Sequence, residues 1–425
     1  MNILRRYIQG LFPICQGERR RDQIHFILDG ILINAATMLT TGMFLSGYFI
    51  YLGASDFLIG ILNNAGAWAL ILSLFSFIIY ERMESRKRLL ISLNIISRML
   101  LCSIVYLPIF LPSHQVVIKI ASVMVILGNL LWGIYSTGII VWMINLLPHN
   151  RRNNYIYVRM FYLRISFTLT TIIAGRLLDI FNKSYMGFVV IYSISLLISL
   201  VDAYILSKTY EPPNKIAKKK RVDAKRFTEP VRGKEFGIYL IFVFFFYLST
   251  TLSSSFTSLY QIKYLGLDYS FISVINVLSY LMMIGCTRFW GRMEEKLGVG
   301  LMLGITGLFI MLEFFVYSFI NKETVRLLYL ASILAGIGNS GFNVGIATHR
   351  YNLTPDENKT IYECWFGAIY GISTMIGPII GNYMKTNIFT MEFQSLYRTT
   401  AIMGATVLII AFFRPSDIRK YISNL

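Results

Sequence analysis

The side chains that could do chemistry in this sequence are charges set inside apolar runs. Asp29 stands in IHFILDGILINA, Arg159 and Arg164 in YVRMFYLRISF, and Arg98, Asp202 and Glu313 in runs of their own. A carboxylate there can hold and release a proton. A guanidinium there can pair with it or bind an anionic group. A charge inside a bilayer is costly, so each of these residues is a functional candidate by default. The bilayer itself follows from composition. The chain of 425 residues is 55% hydrophobic and only 15% charged, against about 25% charged in soluble domains. Lipid is its solvent.

Depth separates the candidates. Asp29 lies about one and a half helical turns past Ile24, the start of its run. Arg159 and Arg164 lie about one and about two and a half turns past Tyr155, or roughly 6 and 14 Å along the axis. Asp29 and Arg159 therefore share a depth. Arg164 is too deep for its head group to reach the interface. It needs a carboxylate, carbonyls, water or an anionic ligand, and it is the leading substrate-contact residue. Arg98 is equally deep. His25, His114, His149 and His349 lie near the ends of runs, so none reads as a buried proton relay.

Other chemistries find no support. The four cysteines, Cys15, Cys102, Cys286 and Cys364, form no CxxC pair, so neither a disulfide framework nor a zinc site follows. No phosphate-binding loop and no nucleophile–base constellation is legible, so the chain reads as non-enzymatic, with no cofactor and no metal. Energy then comes from an ion or solute gradient. The net charge of +18 does not indicate nucleic acid. Ten Lys/Arg against four Asp/Glu lie between Lys208 and Glu235, and residues 1–22 hold five Arg against Glu18 and Asp22. These are flanks of membrane segments, where basic residues set orientation.

The elements that must position these side chains are long helices. About twelve runs reach spanning length: roughly 24–52, 57–80, 89–111, 116–146, 155–181, 186–207, 237–262, 269–290, 299–320, 325–350, 361–384 and 395–413. Every second connection is basic: the N-terminus, Arg82 to Arg88, Arg151-Arg152, the 208–235 stretch, Arg292/Lys296, Arg350/Lys359, and Arg414 to Lys420. The others, such as Leu52 to Asp56, are short and poor in charge. Both termini and the basic linker are expected in the cytoplasm. The N-terminal MNILRRYIQGLF carries an apolar stripe up to Pro13, which reads equally as an interfacial helix or a frayed tail.

The chain also repeats itself. YLG recurs at Tyr51 and Tyr264, Arg-Met-Glu at Arg82 and Arg292, and a polar loop ending in Tyr at Tyr155 and Tyr362, at offsets of 213, 210 and 207. Two similar halves are expected, a six-helix bundle over 1–207 and another over 237–425, joined by a basic linker over 208–236.

This layout resembles the major facilitator superfamily of secondary transporters over nearly the whole chain. The superfamily's loop signature, G-x-x-x-D-R-x-G, is matched in the second half by Gly291, Glu295-Lys296 and Gly298. The first copy departs from it: Glu81 replaces the leading glycine, Ser85 stands at the acid, and Arg88 replaces the last glycine, with Glu84 a neighbouring acid. Trp142, Leu146-Leu147-Pro148, Arg152, Tyr155 and Arg159 are similar to a bacterial branch with no single substrate, from which Asn145 and Asn153 depart. The resemblance implies an all-α membrane protein with 12 transmembrane helices in two pseudo-symmetric halves.

It also implies where function sits. The first and fifth helices are neighbours in this fold, so Asp29 and Arg159 are expected to pair near the inner gate, either for proton coupling or as a static structural pair. Glu295 in the loop signature and Glu363 at the start of the eleventh helix join them as gate residues. The fold lines its cavity with the first, fourth, seventh and tenth helices. These offer Asn34, Thr37, Thr41, Asn129, Trp132, Tyr135, Tyr247, Thr250, Asn339 and Asn343, with Trp365 on the eleventh. Amides and hydroxyls beside aromatic faces suit hydroxyl-rich or amphiphilic ligands. The same residue types also hold membrane helices together. The third helix is peripheral in this fold, so Arg98 reads as structural, and Asp202 and Glu313 are read the same way.

The expected activity is movement of a small polar or amphiphilic organic solute by alternating access. Sugar-like, proton-coupled uptake is slightly favoured over multidrug or amphiphile efflux, and a non-transporting membrane sensor is the reading from another class. The expected partners are the small-molecule substrate, the lipid bilayer and protons as coupling ion, without nucleic acid. The chain is expected to act as a monomer in a bacterial inner membrane.

Overall fold

The structure, a computed structural model, describes residues 19–72, 76, 80, 83, 85–147, 152–212, 224–355 and 359–412. No β-strand occurs among them. Ten helices there are long and apolar enough to cross a membrane. One of them, Tyr269–Tyr317, holds two of the expected runs. The second expected run is carried by shorter helical pieces between Asp56 and Leu72. The N-terminal stripe, Arg82, Glu84 and the basic C-terminal stretch fall outside the described residues.

The main helices are α1 (Arg20–Leu39), α2 (Gly42–Tyr51), α3 (Asp56–Asn63), α4 (Lys87–Ser103), α5 (His114–Leu146), α6 (Arg152–Ile180) and α7 (Tyr185–Ser207). Then follow α8 (Ala224–Arg232), α9 (Lys234–Ser254), α10 (Tyr269–Tyr317), α11 (Leu327–Asn352), α12 (Lys359–Tyr383) and α13 (Phe393–Phe412). Helices are the form in which these apolar runs satisfy every backbone group internally. The first run breaks into α1 and α2 at Thr40–Thr41, where Gly42 takes φ 57°. Thr37, Thr40 and Thr41 each donate a hydroxyl back to a carbonyl of α1. In α10 the break falls at Gly298, with φ 77° and ψ 158°. That is the last glycine of the loop signature, and only a residue without Cβ adopts this conformation cheaply. Its counterpart in the first half, Arg88, lies inside α4 with no left-handed φ. No glycine is required there.

Polarity is reversed relative to a water-soluble protein. Ile173 and Leu197 are 64% and 63% exposed, while Asn94, Arg98 and Asp202 are at most 1% exposed. An apolar exterior around buried polar groups is the arrangement lipid demands.

Residue packing forms two compact units, Met1–Tyr48 with Phe75–Lys220, and Phe49–Leu74 with Arg221–Leu425. In the first, α1 lies between α6 and α7, and α4 packs against α5 and α7. Its core includes Phe26, Ile27, Tyr135, Trp142, Tyr155 and Leu206. In the second, α12 packs against α9 and against the helical pieces of Asp56–Leu72. Glycines set those approaches. A Cβ on Gly371 would meet Ile71 and the Ala67 carbonyl, and one on Gly381 would fall 2.1 Å from the Leu252 carbonyl oxygen.

Candidate functional site

The seam between α1 and α6 is stitched by side chains to backbone. Tyr155 Oη donates to the Gln23 carbonyl at 2.6 Å, Arg159 Nε to the Phe26 carbonyl at 3.0 Å, Asn34 Nδ2 to the Leu163 carbonyl at 2.9 Å, and Ser166 Oγ to the Ile31 carbonyl at 2.8 Å. These bonds hold the two helices in register along about three turns. Gly30 sits where any Cβ would strike Leu163 and the Arg159 guanidinium. Within this seam Arg159 Nη2 reaches Asp29 Oδ2 at 3.2 Å. Asp29 is 1% exposed, and its other oxygen accepts from Tyr135 Oη at 3.3 Å. A carboxylate so far from water depends on such partners for its charge.

The motif that led to Arg159 closes the same end of the unit. Trp142 packs edge-on to Phe26 at 5.4 Å and donates its indole N–H to the Tyr210 carbonyl at 2.9 Å. Asp22 accepts from the Tyr210 N–H at 2.9 Å, and the Arg19 guanidinium lies 3.6 Å above the Tyr210 ring. Trp142, Tyr155 and Arg159 thus tie α1, α5, α6 and the start of the linker together.

Around Asp29 the structure assembles groups that looked unrelated in sequence. Trp132 and Tyr135 pack ring against tilted ring at 4.8 Å on α5. The Arg98 guanidinium lies 4.0 Å over the Trp132 ring and donates to Thr37 Oγ1 at 2.7 Å. Its Nε and Nη1 find no partner among the described residues. Asn94, one turn earlier on α4, donates to Asp202 Oδ2 at 2.8 Å. The expected positions Asp29, Thr37, Trp132, Tyr135 and Arg159 therefore meet in one neighbourhood, joined by Arg98, Asn94 and Asp202.

The remaining expected positions are scattered or self-satisfied. Arg164 is half-buried and makes no ion pair or hydrogen bond among the described residues. Thr41 bonds back to the last turn of α1, and Asn129, Thr250 and Asn339 bond within their own helices. Tyr247 stacks edge-on with Tyr370 at 4.5 Å. Asn343 is exposed, Trp365 is half-buried, and Glu295 is exposed on α10 just before Gly298. Glu363 accepts from Arg350 Nε at 2.7 Å, with the guanidinium 3.9 Å over Phe366.

Two charge clusters were not legible beforehand. Glu211, at the start of the linker, accepts from Ser85 Oγ at 2.6 Å and from the Arg86 and Lys87 N–H groups at 2.7 and 3.1 Å. It thereby caps the N-terminus of α4, where a helix dipole favours a negative charge. In the second unit, Asp56 accepts from Lys263 at 2.7 Å, from Lys385 at 2.8 Å and from Tyr264. Burial raises the Asp56 carboxyl, but those three donors more than offset it and hold it at about 2. Lys385 is 1% exposed and lies 4.7 Å over Phe393. The only sequence signal for this cluster was a lone acid in a charge-poor connection.

Comparison with known proteins fits this architecture. Residues 78–395 match the model of the MFS_1 like family. A tetracycline resistance protein, class H, of Pasteurella multocida is 28% identical over 130 residues, 31% of each chain. A probable efflux pump of Penicillium aethiopicum is 27% identical over 113 residues, 26% of this chain and 20% of that one. The chain thus aligns with less than a third of either relative's length. Among solved structures, the nucleoside transporter NupG superposes with TM-score 0.70 at 15% identity, covering 92% of this chain and 99% of that one. A D-xylose-proton symporter gives 0.71 at 13%, covering 93% and 98%. At such identities the likeness is one of fold. Its long apolar helices make the chain a multi-pass membrane protein, and it belongs to the MFS_1 like family within the major facilitator superfamily.

Proposed function

We propose that this protein is a proton-coupled secondary transporter of a small polar or amphiphilic organic solute, working by alternating access in a bacterial inner membrane with both termini cytoplasmic. The observation that carries the coupling is the buried Asp29–Arg159 pair at 3.2 Å. A carboxylate's proton affinity rises with burial and falls beside a guanidinium. A contact made in one access state and broken in the other moves a proton with the solute. Arg164, on the same helix as Arg159 and without an ion pair or hydrogen bond among the described residues, supplies the complementary charge for an anionic or strongly polar group on the solute.

Uptake of a hydroxyl-rich solute fits the amides, hydroxyls and aromatic faces near Asp29. Export is the second reading, and the segments similar to a tetracycline resistance protein and an efflux pump favour it. One experiment separates them. Proteoliposomes of the full chain, loaded with a pH-sensitive dye, are challenged with sugars, nucleosides and tetracycline. The coupled solute accelerates proton flux in wild type, and Asp29→Asn retains solute exchange without it. If Asp29→Asn still concentrates the solute on a proton gradient, the coupling role is wrong.

A further inference from the structure

Asp202 on α7 is fully buried. No cation lies within ion-pair distance of it among the described residues. Its Oδ2 takes the Asn94 amide N–H at 2.8 Å, while its Oδ1 has no donor among the described residues. Asn94 is equally buried, and its own Oδ1 is likewise unpartnered. α1 and α7 pack directly on each other, with Ser195 Oγ donating to the Ala36 carbonyl at 2.8 Å, and the Asp29 and Asp202 carboxyl groups lie within hydrogen-bonding reach across that contact. Two carboxyl oxygens at that range need a proton between them, because two bare carboxylates repel and neither can donate. The surrounding cations do not remove the need. Arg159 is committed to Asp29 and to the Phe26 carbonyl, and Arg98 gives its one bonded nitrogen to Thr37. Tyr135 donates to Asp29, and Cys102 donates to Ser195. The orphaned Asp202 acceptor therefore belongs to a carboxyl group that a bound proton would join to Asp29.

We propose that Asp29 and Asp202 form a single proton-binding site, a carboxyl pair that shares one proton between α1 and α7. The proposal rests on the coupling role of Asp29 and extends it by making Asp202 part of the proton site. With the proton bound, one Oδ–H bond closes the pair, and the two acids carry one negative charge beside Arg98 and Arg159. On release, that bond breaks heterolytically and the proton passes to water. Two carboxylates then face two guanidiniums, and the site is neutral. Release is favoured by any rearrangement that brings Arg98 onto Asp202, for its Nε and Nη1 have no partner among the described residues. The pair thus couples the protonation of α1 and α7 to the position of α4.

The test is infrared absorption of the full chain in liposomes, where a protonated carboxyl is distinguished from a carboxylate. Glu313→Gln is the background, because Glu313 is another acid inside an apolar helix. At neutral pH that background protein shows a protonated-carboxyl band, which is lost in both Asp29→Asn and Asp202→Asn and retained in Asp202→Glu. A band that survives in either Asn variant belongs to a lone acid and overturns the pair. Absence of the band in the background protein overturns it as well, and needs neither variant to fold. Loss of the band when sodium replaces choline at fixed pH would make the site a cation site and equally overturn the proposal. The measurement needs no solute, so it can fail while proton-driven accumulation stands, or hold while accumulation fails.

Discussion

Asp56 ties three side chains together, and removing it should be costly in a calculable way. Its carboxylate answers Lys385, which is 1% exposed, as well as the half-exposed Lys263 and the Tyr264 hydroxyl. Asp56→Ala leaves the Lys385 ammonium buried without its counter-charge. Breaking one partner of a buried pair costs about 3–5 kcal/mol. The exposed Lys263 contact adds at most about 1 kcal/mol. With Asp56 itself 12% exposed, a loss near 3 kcal/mol is expected. Asp56→Asn with Lys385→Met removes both charges and should return to within about 1 kcal/mol of wild type. The pH dependence has a definite sign. The Asp56 carboxyl falls from its ordinary 3.8 to about 2 on folding. Its contribution is therefore complete above pH 4 and is lost as pH falls towards 2. It amounts to about 2 kcal/mol by linkage. Denaturant unfolding of the purified protein in detergent micelles, followed by tryptophan fluorescence across pH, measures all three quantities. The reasoning fails if Asp56→Ala costs under about 0.5 kcal/mol, or if the double variant is as unstable as the single one.

Three further outcomes can be measured. Glu211→Ala should destabilise by about 1–2 kcal/mol through loss of the α4 cap, with Glu211→Gln between it and wild type, and the same unfolding assay would show no change if the cap were idle. Arg164→Leu should abolish solute transport in proteoliposomes while leaving folded yield intact, and wild-type transport by that variant removes Arg164 from the site. Cys15 should react with a membrane-impermeant thiol reagent in inverted vesicles and not in intact cells, and the opposite pattern reverses the topology.

What the sequence made legible was the information carried within single helices. Apolar length marked the spans, basic loops suggested their orientation, and Asp29 and Arg159 stood out because both are charges at one depth. The structure puts those two in contact. What could not be read was rotation of one helix against another. Asn94, Arg98 and Asp202 lie on two helices whose facing sides depend on packing, and three-residue and four-residue spacing says only that Asn94 and Arg98 share a face. The peripheral place assigned to Arg98 hid its stacking on Trp132 and its bond to Thr37. Most of the hydroxyls and amides expected to line a binding surface turn back on their own helices, because in lipid a local carbonyl is the nearest acceptor.

The first copy of the loop signature shows how a motif can fail in sequence and survive in space. Ser85 stands where the signature has an acid, and the chain just before it offers only Glu81 and Glu84. The structure instead brings Glu211 to the start of α4, where it bonds Ser85 itself and the next two backbone N–H groups. The physical requirement at that point is a negative charge facing the exposed N–H groups of a helix. It can be met from any position whose backbone passes within reach. The linker passes there because Trp142 and Asp22 hold Tyr210, the residue immediately before Glu211. The serine is then a ligand of the acid and not its replacement by accident. Substituting Ser85 by Asp would set two carboxylates against each other at one helix end, so the departure at Ser85 and the acid at Glu211 are two halves of one arrangement.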